Sequence, residues 1–178
     1  MKKYKWILIA GNLLLLLVYF NWSVSQKEQT IKEGELILFR LAPVDPRSLM
    51  QGDYMALNYE VARMDSLCQG DSLLLVSSLG YAVLALDSNR VASIIRLQPT
   101  IGGLHMGEQL IKFYKGHYGL LKLGAESFFF EEGQGTAYQA AEYGGLRVDK
   151  EGNSILIGLY DSQFQLIVPP VTSPVTKE

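Results

Sequence analysis

The hydrophobic and polar positions divide the chain into one long apolar run near the N-terminus and a series of short alternating segments after it. Residues 6–20 are apolar except for Asn12 and the small Gly11. Extended to Val24, the run would span roughly 28 Å as an α-helix, close to the thickness of the hydrocarbon core of a bilayer. The pattern therefore predicts a single transmembrane helix.

Basic residues are distributed unequally about this run. The lysines that precede it are Lys2, Lys3 and Lys5. No basic residue follows until Lys27. Because positive charge is retained on the cytoplasmic side, we expect a single-pass membrane protein with a cytoplasmic N-terminus and an extracytoplasmic domain. In an envelope with two membranes, that domain would be periplasmic.

A removed signal peptide is the alternative interpretation of the same run. Ser23 and Ser25 could serve as the small residues that precede a cleavage site. However, Tyr19, Phe20 and Trp22 are large and crowd the region that a signal peptidase must reach. The sequence therefore favours an uncleaved anchor.

The remainder of the chain has the periodicity of short strands separated by turns. Residues 87–90 carry Asp, Ser and Asn, residues 149–153 carry Asp, Gly and Asn, and each segment predicts a turn between two strands. One short helix is expected at residues 137–143, capped by Thr136. About eight short strands with one or two short helices predict a mainly β (β-rich α+β) domain, an antiparallel barrel or sandwich.

Changes in composition divide the chain into four predicted parts. They are a Lys-rich cytoplasmic end with the anchor at residues 1–25, a polar stalk, helical or irregular, at residues 26–34, the β-rich domain at residues 35–162, and a proline-containing tail or edge segment at residues 163–178.

The most distinctive stretch begins with turn-forming residues. Pro46 fixes its own φ and keeps Asp45 out of the helical region, while Gly52 supplies a position without Cβ strain. In one interpretation Asp45, Arg47 and Asp53 form a binding site for a partner or ligand. In the other, Asp45 caps its own turn and Arg47 pairs with Asp53 or another acid to fix the entry of the strand. The structural interpretation is the simpler one.

A strand with one apolar face is expected immediately after this turn. The larger and more apolar side chains occupy the odd positions, so we expect these to be buried and the even positions, including Tyr54, to be exposed. The odd positions are Met55, Leu57, Tyr59 and Val61.

Residues 52–59, here called the signature, resemble the sequence that gives the GDYXXLXY family its name. The resemblance is carried by Gly52-Asp53-Tyr54 with Leu57 and Tyr59, and it extends over roughly residues 35–160. It implies a membrane-associated bacterial protein and assigns no biochemical role. The candidate recognition residues are Asp45, Pro46, Arg47, Gly52, Asp53, Tyr54, Leu57 and Tyr59.

Composition excludes several classes of function. Cys68 is the single cysteine, which excludes an intramolecular disulfide and a zinc cluster built on thiolates. Beyond Lys5, 13 basic residues face 18 acidic ones, so the domain lacks the basic footprint of a nucleic-acid-binding protein. No phosphate-binding or dinucleotide-binding loop is present, and we predict no cofactor.

One alternative to a binding role is a serine hydrolase. Ser48 precedes Gly52-Asp53 at a distance reminiscent of signal peptidases, but such a serine needs a buried lysine as its base. The mid-chain lysines are Lys112, Lys115 and Lys122, and none lies in an apolar motif.

A metal site would require His105 and His117 to converge with a carboxylate such as Glu108. Both histidines lie beside glycines in expected loops, where a solvated role is commoner. The leading hypothesis is therefore a non-enzymatic domain that binds another envelope or membrane protein.

Overall fold

The protein consists of one long helix followed by β-strands, as the sequence predicts. Within the part of the chain described here there are one α-helix, nine strands and two short 3-10 helices. The computed structural model describes residues 2–42, 54–62, 78–116, 121–131 and 133–169.

The helix, α1, spans Lys2–Glu33 without interruption and is about 48 Å long at 1.5 Å per residue. Its segment Tyr4–Glu33 is long and apolar enough to cross a membrane, and none of its most apolar window is buried in the protein. The polar residues expected to form a stalk continue the same helix. An i,i+4 ion pair between Lys32 and Glu28, at 3.3 Å, supports this last part.

The strands form three antiparallel sheets. Their bounds are β1 (Glu35–Arg40), β2 (Tyr54–Ala56), β3 (Leu79–Leu86), β4 (Ala92–Gln98), β5 (Glu108–Lys115), β6 (Leu121–Lys122), β7 (Ser127–Phe129), β8 (Tyr143–Val148) and β9 (Ser154–Tyr160). The sheet orders are β1-β8-β9, β2-β7 and β4-β3-β5-β6. Over the described ranges none of them closes into a barrel.

Two of the hairpins are set by aspartate-based turns, as predicted. In the β3–β4 turn, the Oδ1 atom of Asp87 accepts the backbone N–H groups of Asn89 and Val91, each at 2.8 Å. In the β8–β9 turn, Asp149 Oδ1 accepts the N–H of Asn153 at 2.8 Å. Such Asx turns are local, which is why the sequence alone can indicate them.

The helix predicted at residues 137–143 is wrong in type and length. The chain forms a 3-10 helix at Ala137–Ala140, and Thr136 makes no side-chain capping bond. The next backbone groups are used by sheet-like bonds: the N–H of Glu142 donates to Tyr160 O at 2.9 Å, and its carbonyl accepts from Leu41 at 2.8 Å. A continuing helix would have to give up these bonds.

A single main core joins all three sheets. Its members come from eight of the nine strands, all except β7, and from the loops between them. The buried side chains of this core are Ile37, Phe39, Met55, Leu57, Tyr59, Ala62, Ala82, Leu84, Ala92, Ile111, Phe113, Leu121, Leu123, Ala125, Tyr138, Leu146, Val148 and Leu159.

The first residues of the expected tail pack on the domain. The N–H of Ile167 donates to Leu159 O at 2.9 Å, and Leu166 forms a bridge with Tyr160 of β9. Residues 163–169 thus lie along the edge of the three-stranded sheet, and residues 170–178 are outside the described part.

Candidate functional site

Five of the eight candidate recognition residues lie outside the described residues, and so does the expected link between Arg47 and Asp53. They are Asp45, Pro46, Arg47, Gly52 and Asp53. The three that are described, Tyr54, Leu57 and Tyr59, occupy different environments.

The predicted alternation of the signature is confirmed for its first three odd positions. Met55, Leu57 and Tyr59 are buried, whereas Tyr54 and Asn58 are exposed. The regular strand is shorter than expected, because β2 ends at Ala56. Two long-range backbone contacts extend the ordered segment: Leu57 N–H donates to Glu126 O at 2.8 Å, and Tyr59 forms a bridge with Leu41. The fourth odd position, Val61, is only half-buried, in the 3-10 helix Glu60–Ala62.

Tyr59 is a structural residue of the core. Its hydroxyl donates to Ala125 O at 2.6 Å, and its ring meets Phe39 edge to face at 5.8 Å between centroids. A Cβ atom at Gly144 would come within 3.0 Å of the Tyr59 ring, so the glycine leaves room for it. Burial, reinforced by the nearby Glu126 carboxylate, raises the pKa of Tyr59 well above its ordinary value. The hydroxyl is therefore a hydrogen-bond donor that stays neutral.

Tyr54 has the opposite character. It is 47% exposed and lies across the β2–β7 pair from Phe129, which is 73% exposed, with the ring centroids 5.9 Å apart. Phe128 and Phe130 point to the other side and pack on Tyr138 at 5.0 and 5.4 Å. Two of the three consecutive phenylalanines thus pack against the core, while Phe129 and Tyr54 form an aromatic pair on the surface.

A half-open groove of about 540 Å³ lies beside the buried face of the signature. Met55, Leu57 and Tyr138 supply buried, largely apolar walls. We call it the signature groove. Its lining residues are Arg40, Leu41, Ala42, Met55, Leu57, Glu60, Tyr138, Gln139, Ala141 and Glu142.

The rim of the signature groove carries the charged side chains. Arg40 and Glu60 form an ion pair at 3.8 Å, with both side chains more than half exposed. A pair of this kind contributes at most about 1 kcal/mol to stability and can rearrange around a ligand. Glu142 is also exposed on the rim, so two acidic side chains accompany one basic side chain. The rim thus favours a positively charged group.

The residues considered for metal binding are engaged otherwise. Both carboxylate oxygens of Glu108 accept from the Arg96 guanidinium at 2.7 Å, and one also accepts the backbone N–H of His105 at 2.8 Å. These bonds lower the pKa of Glu108 to about 2, and the largest contribution comes from the hydrogen bond with Arg96. His117 is outside the described residues, and within them no three His, Cys, Asp or Glu side chains are grouped to hold a metal.

The lysines considered as a catalytic base are not buried. Lys115 and Lys122 are exposed, and the Lys112 ammonium donates to the side-chain oxygen of Asn153. Ser48, the candidate nucleophile, lies outside the described part of the chain. No observation on the described residues therefore favours a serine hydrolase.

The comparison with protein families agrees with the signature. A family model described as GDYXXLXY protein matches residues 16–159, which is most of the chain. The chain belongs to the GDYXXLXY family. No curated protein and no solved structure matches it. For this GDYXXLXY protein, the match runs from residue 16, within the apolar helix, to residue 159, the last but one of β9, so it covers the second half of the helix and the sheets.

Sequence reasoning missed the signature groove because its walls come from distant parts of the chain. Arg40 and Leu41, residues 55–60 and residues 138–142 converge only after β1 pairs with β8 and β2 pairs with β7. The only local signal was the aromatic Tyr138 in a stretch otherwise rich in small and polar residues.

Proposed function

We propose that this GDYXXLXY protein is a membrane-anchored accessory protein whose domain binds an extended segment of another envelope or membrane protein in the signature groove. The observation that carries this proposal is the groove itself, with apolar walls and an acidic rim beside the family signature. The occupant we expect places an apolar side chain against Met55 and Leu57. A neighbouring lysine or arginine of that occupant pairs with Glu60 or Glu142.

The proposed topology rests on the anchor. The lysines before the apolar run and their absence until Lys27 support a cytoplasmic N-terminus and an extracytoplasmic domain at residues 35–162. In a cell with a two-membrane envelope the domain would be periplasmic. Mass spectrometry of the membrane-extracted protein tests this. A mature N-terminus near Gln26 would show that the helix is removed as a signal peptide.

Site-specific photo-crosslinking in native membranes tests the groove. A photoreactive phenylalanine analogue at Gln139, an exposed groove residue, should give an adduct with a segment that contains a basic residue beside an apolar one. The Glu142→Lys charge reversal should suppress the adduct. Glu151→Lys, which makes the same charge change on an exposed turn outside the groove, is the matched control.

The two variants must first be shown to melt like the parent protein. Equal adduct yields for Glu142→Lys and Glu151→Lys would contradict an electrostatic role of the groove, and no adduct from Gln139 would contradict its role as the binding site. A serine-directed probe tests the alternative of a hydrolase. Labelling that disappears in Ser48→Ala would establish a hydrolase and contradict the accessory role.

A further inference from the structure

The connection between β4 and β5 has to run across one face of the four-stranded sheet. Both strands are antiparallel to β3 and lie on opposite sides of it, so they are parallel to each other. β4 ends at Gln98, opposite Tyr81, whereas β5 begins at Glu108, opposite Ala85. Residues 99–107 therefore return over the length of the sheet, and we call them the crossover loop.

The sheet face under the crossover loop is the one turned away from the main core. Val83 and Leu110 are opposite each other on this face and are fully buried, although neither belongs to the main core cluster. Arg96 is the partner of Val83 on β4, and its guanidinium reaches the Gly103 carbonyl at 2.7 Å as well as Glu108. These contacts hold the loop against the sheet.

The loop has a fixed shape. The Gln98 amide donates to the carbonyls of Thr100 and Gly102, each at 2.8 Å. Gly103 and Gly107 adopt positive φ values of 64° and 86°, which side chains other than glycine rarely tolerate. The side chains that the loop presents to solvent are therefore displayed by a defined backbone.

These displayed side chains are apolar. Ile101 and Leu104 are exposed, and Met106 has no measurable burial at all. No charged residue lies between Arg96 and Glu108. An ordered, uncharged loop that exposes three large apolar side chains is typical of a surface that binds something apolar.

The position of the loop indicates what that surface faces. The Gln109 amide, directly after the loop, donates to the carboxylate of Glu35, two residues beyond the end of α1. The end of α1 is itself fixed to the domain. The Thr30 hydroxyl donates to Asp149 Oδ2 at 3.0 Å, and Arg147 donates to the Gly34 carbonyl at 2.7 Å.

Because this junction is rigid, the end of the crossover loop lies on the side of the domain where the anchor leaves it. The helix from Val24 to Glu33 is only about 14 Å long, and the headgroup layer occupies roughly 5–8 Å of that distance. A helix tilt of about 20°, which is common, brings one side of the domain still closer to the lipid.

We propose that the crossover loop inserts Leu104 and Met106 into the interface of the bilayer that holds α1. This inference rests on the membrane anchoring proposed above. Insertion would be driven by apolar burial rather than by charge, because the domain is acidic overall and the loop is uncharged. We therefore expect the loop to insert into a zwitterionic lipid surface as well as into an anionic one.

Tryptophan fluorescence offers a direct test, because Trp6 and Trp22 are the chain's two tryptophans and both lie in α1. With both replaced by phenylalanine, Met106→Trp gives the full chain one reporter at the loop. In phosphatidylcholine nanodiscs, we expect a blue-shifted emission that brominated lipid quenches. The matched control is Tyr114→Trp, at an exposed position six residues beyond Glu108 on β5, about 20 Å away.

The outcomes separate this inference from the anchoring on which it depends. In a variant that retains only Trp22, quenching by brominated lipid reports whether α1 lies in the bilayer. Quenching of Trp22 without quenching at position 106 would overturn loop insertion and leave the anchor intact. Equal quenching at positions 106 and 114 would also overturn it, since the loop would then have no special contact. Loss of quenching at Trp22 itself would show that α1 is not in the bilayer.

Discussion

The signature segment and the crossover loop both present side chains to solvent, yet different forces hold them in place. The signature is held by apolar burial of Leu57 and Tyr59, by backbone pairing, and by the neutral side-chain hydrogen bond from Tyr59 to Ala125. The crossover loop is held by a charge-assisted pair, Arg96 with Glu108, on the sheet face away from the main core. The signature is thus a part of the folding core, whereas the crossover loop is attached to the outside of that core.

The largest effect should come from removing apolar volume under the signature. Leu57 is 2% exposed, so Leu57→Ala should cost about 2–5 kcal/mol of unfolding free energy through lost burial and a cavity. Asn58→Ala, at the adjacent exposed position, should change stability by less than about 0.5 kcal/mol. Chemical denaturation of both variants measures the difference. A greater loss for Asn58→Ala would reverse the assignment of faces.

Removing the hydroxyl of Tyr59 should have the next largest effect. Tyr59→Phe keeps the ring but leaves the buried Ala125 carbonyl without its 2.6 Å partner, at a cost of about 1–3 kcal/mol. Tyr54→Phe removes an exposed hydroxyl from the same signature and should be neutral within about 0.5 kcal/mol. Equal denaturation midpoints for the two variants would show that the buried hydrogen bond contributes nothing net.

Lowering the pH should weaken the ion pair that holds the crossover loop, whereas the signature has no such pair among its described contacts. The Arg96 guanidinium lowers the pKa of Glu108 to about 2 from an ordinary value of 4.5. Because the folded pKa is depressed, the pair contributes stability above pH 4.5 and loses that contribution as the pH falls toward 2. The difference in melting temperature between the parent and Glu108→Gln should therefore shrink over this range.

The control for this titration is Glu151→Gln, on an exposed turn away from Arg96. Its difference from the parent should be small at every pH. If the Glu108→Gln difference stayed constant between pH 4.5 and 2, the bonds from Arg96 would not be what attaches the loop.

The smallest effect should come from the exposed aromatic pair. Tyr54→Ser removes the contact with Phe129, which is worth about 0.2–1 kcal/mol for a cross-strand pair. A melting-temperature measurement should place this variant close to the parent and well above Leu57→Ala. A loss as large as that of Leu57→Ala would mean that the surface pair belongs to the core.

The parts of the fold that sequence reasoning predicted are those whose causes are local. The apolar helix follows from hydropathy, the turns at Asp87 and Asp149 from side-chain bonds to nearby backbone, and the faces of the signature from alternation. Residues 137–143 were mispredicted because the groups at Glu142 bond to Leu41 and Tyr160, which are distant in sequence.

The candidate site was harder to predict from the sequence, because it too depends on contacts between distant residues. Tyr54 pairs with Phe129 and Tyr59 with Leu41, contacts that alternation and composition cannot reveal. The signature groove exists only where these pairings meet. The burial of Leu57 could be predicted from its neighbours, whereas the acidic rim formed by Glu60 and Glu142 could not.

The rigid junction at Thr30 and Gly34 makes the domain turn with its anchor. Gly34 lies against β8, where a Cβ atom would come within 3.1 Å of the Val148 carbonyl oxygen, so the end of the helix sits directly on the domain. In an α-helix each residue advances the azimuth by about 100° and the height by about 1.5 Å. The number of helical residues between the bilayer and Thr30 therefore sets the rotation of the domain about the helix axis, and with it the direction in which each surface of the domain faces.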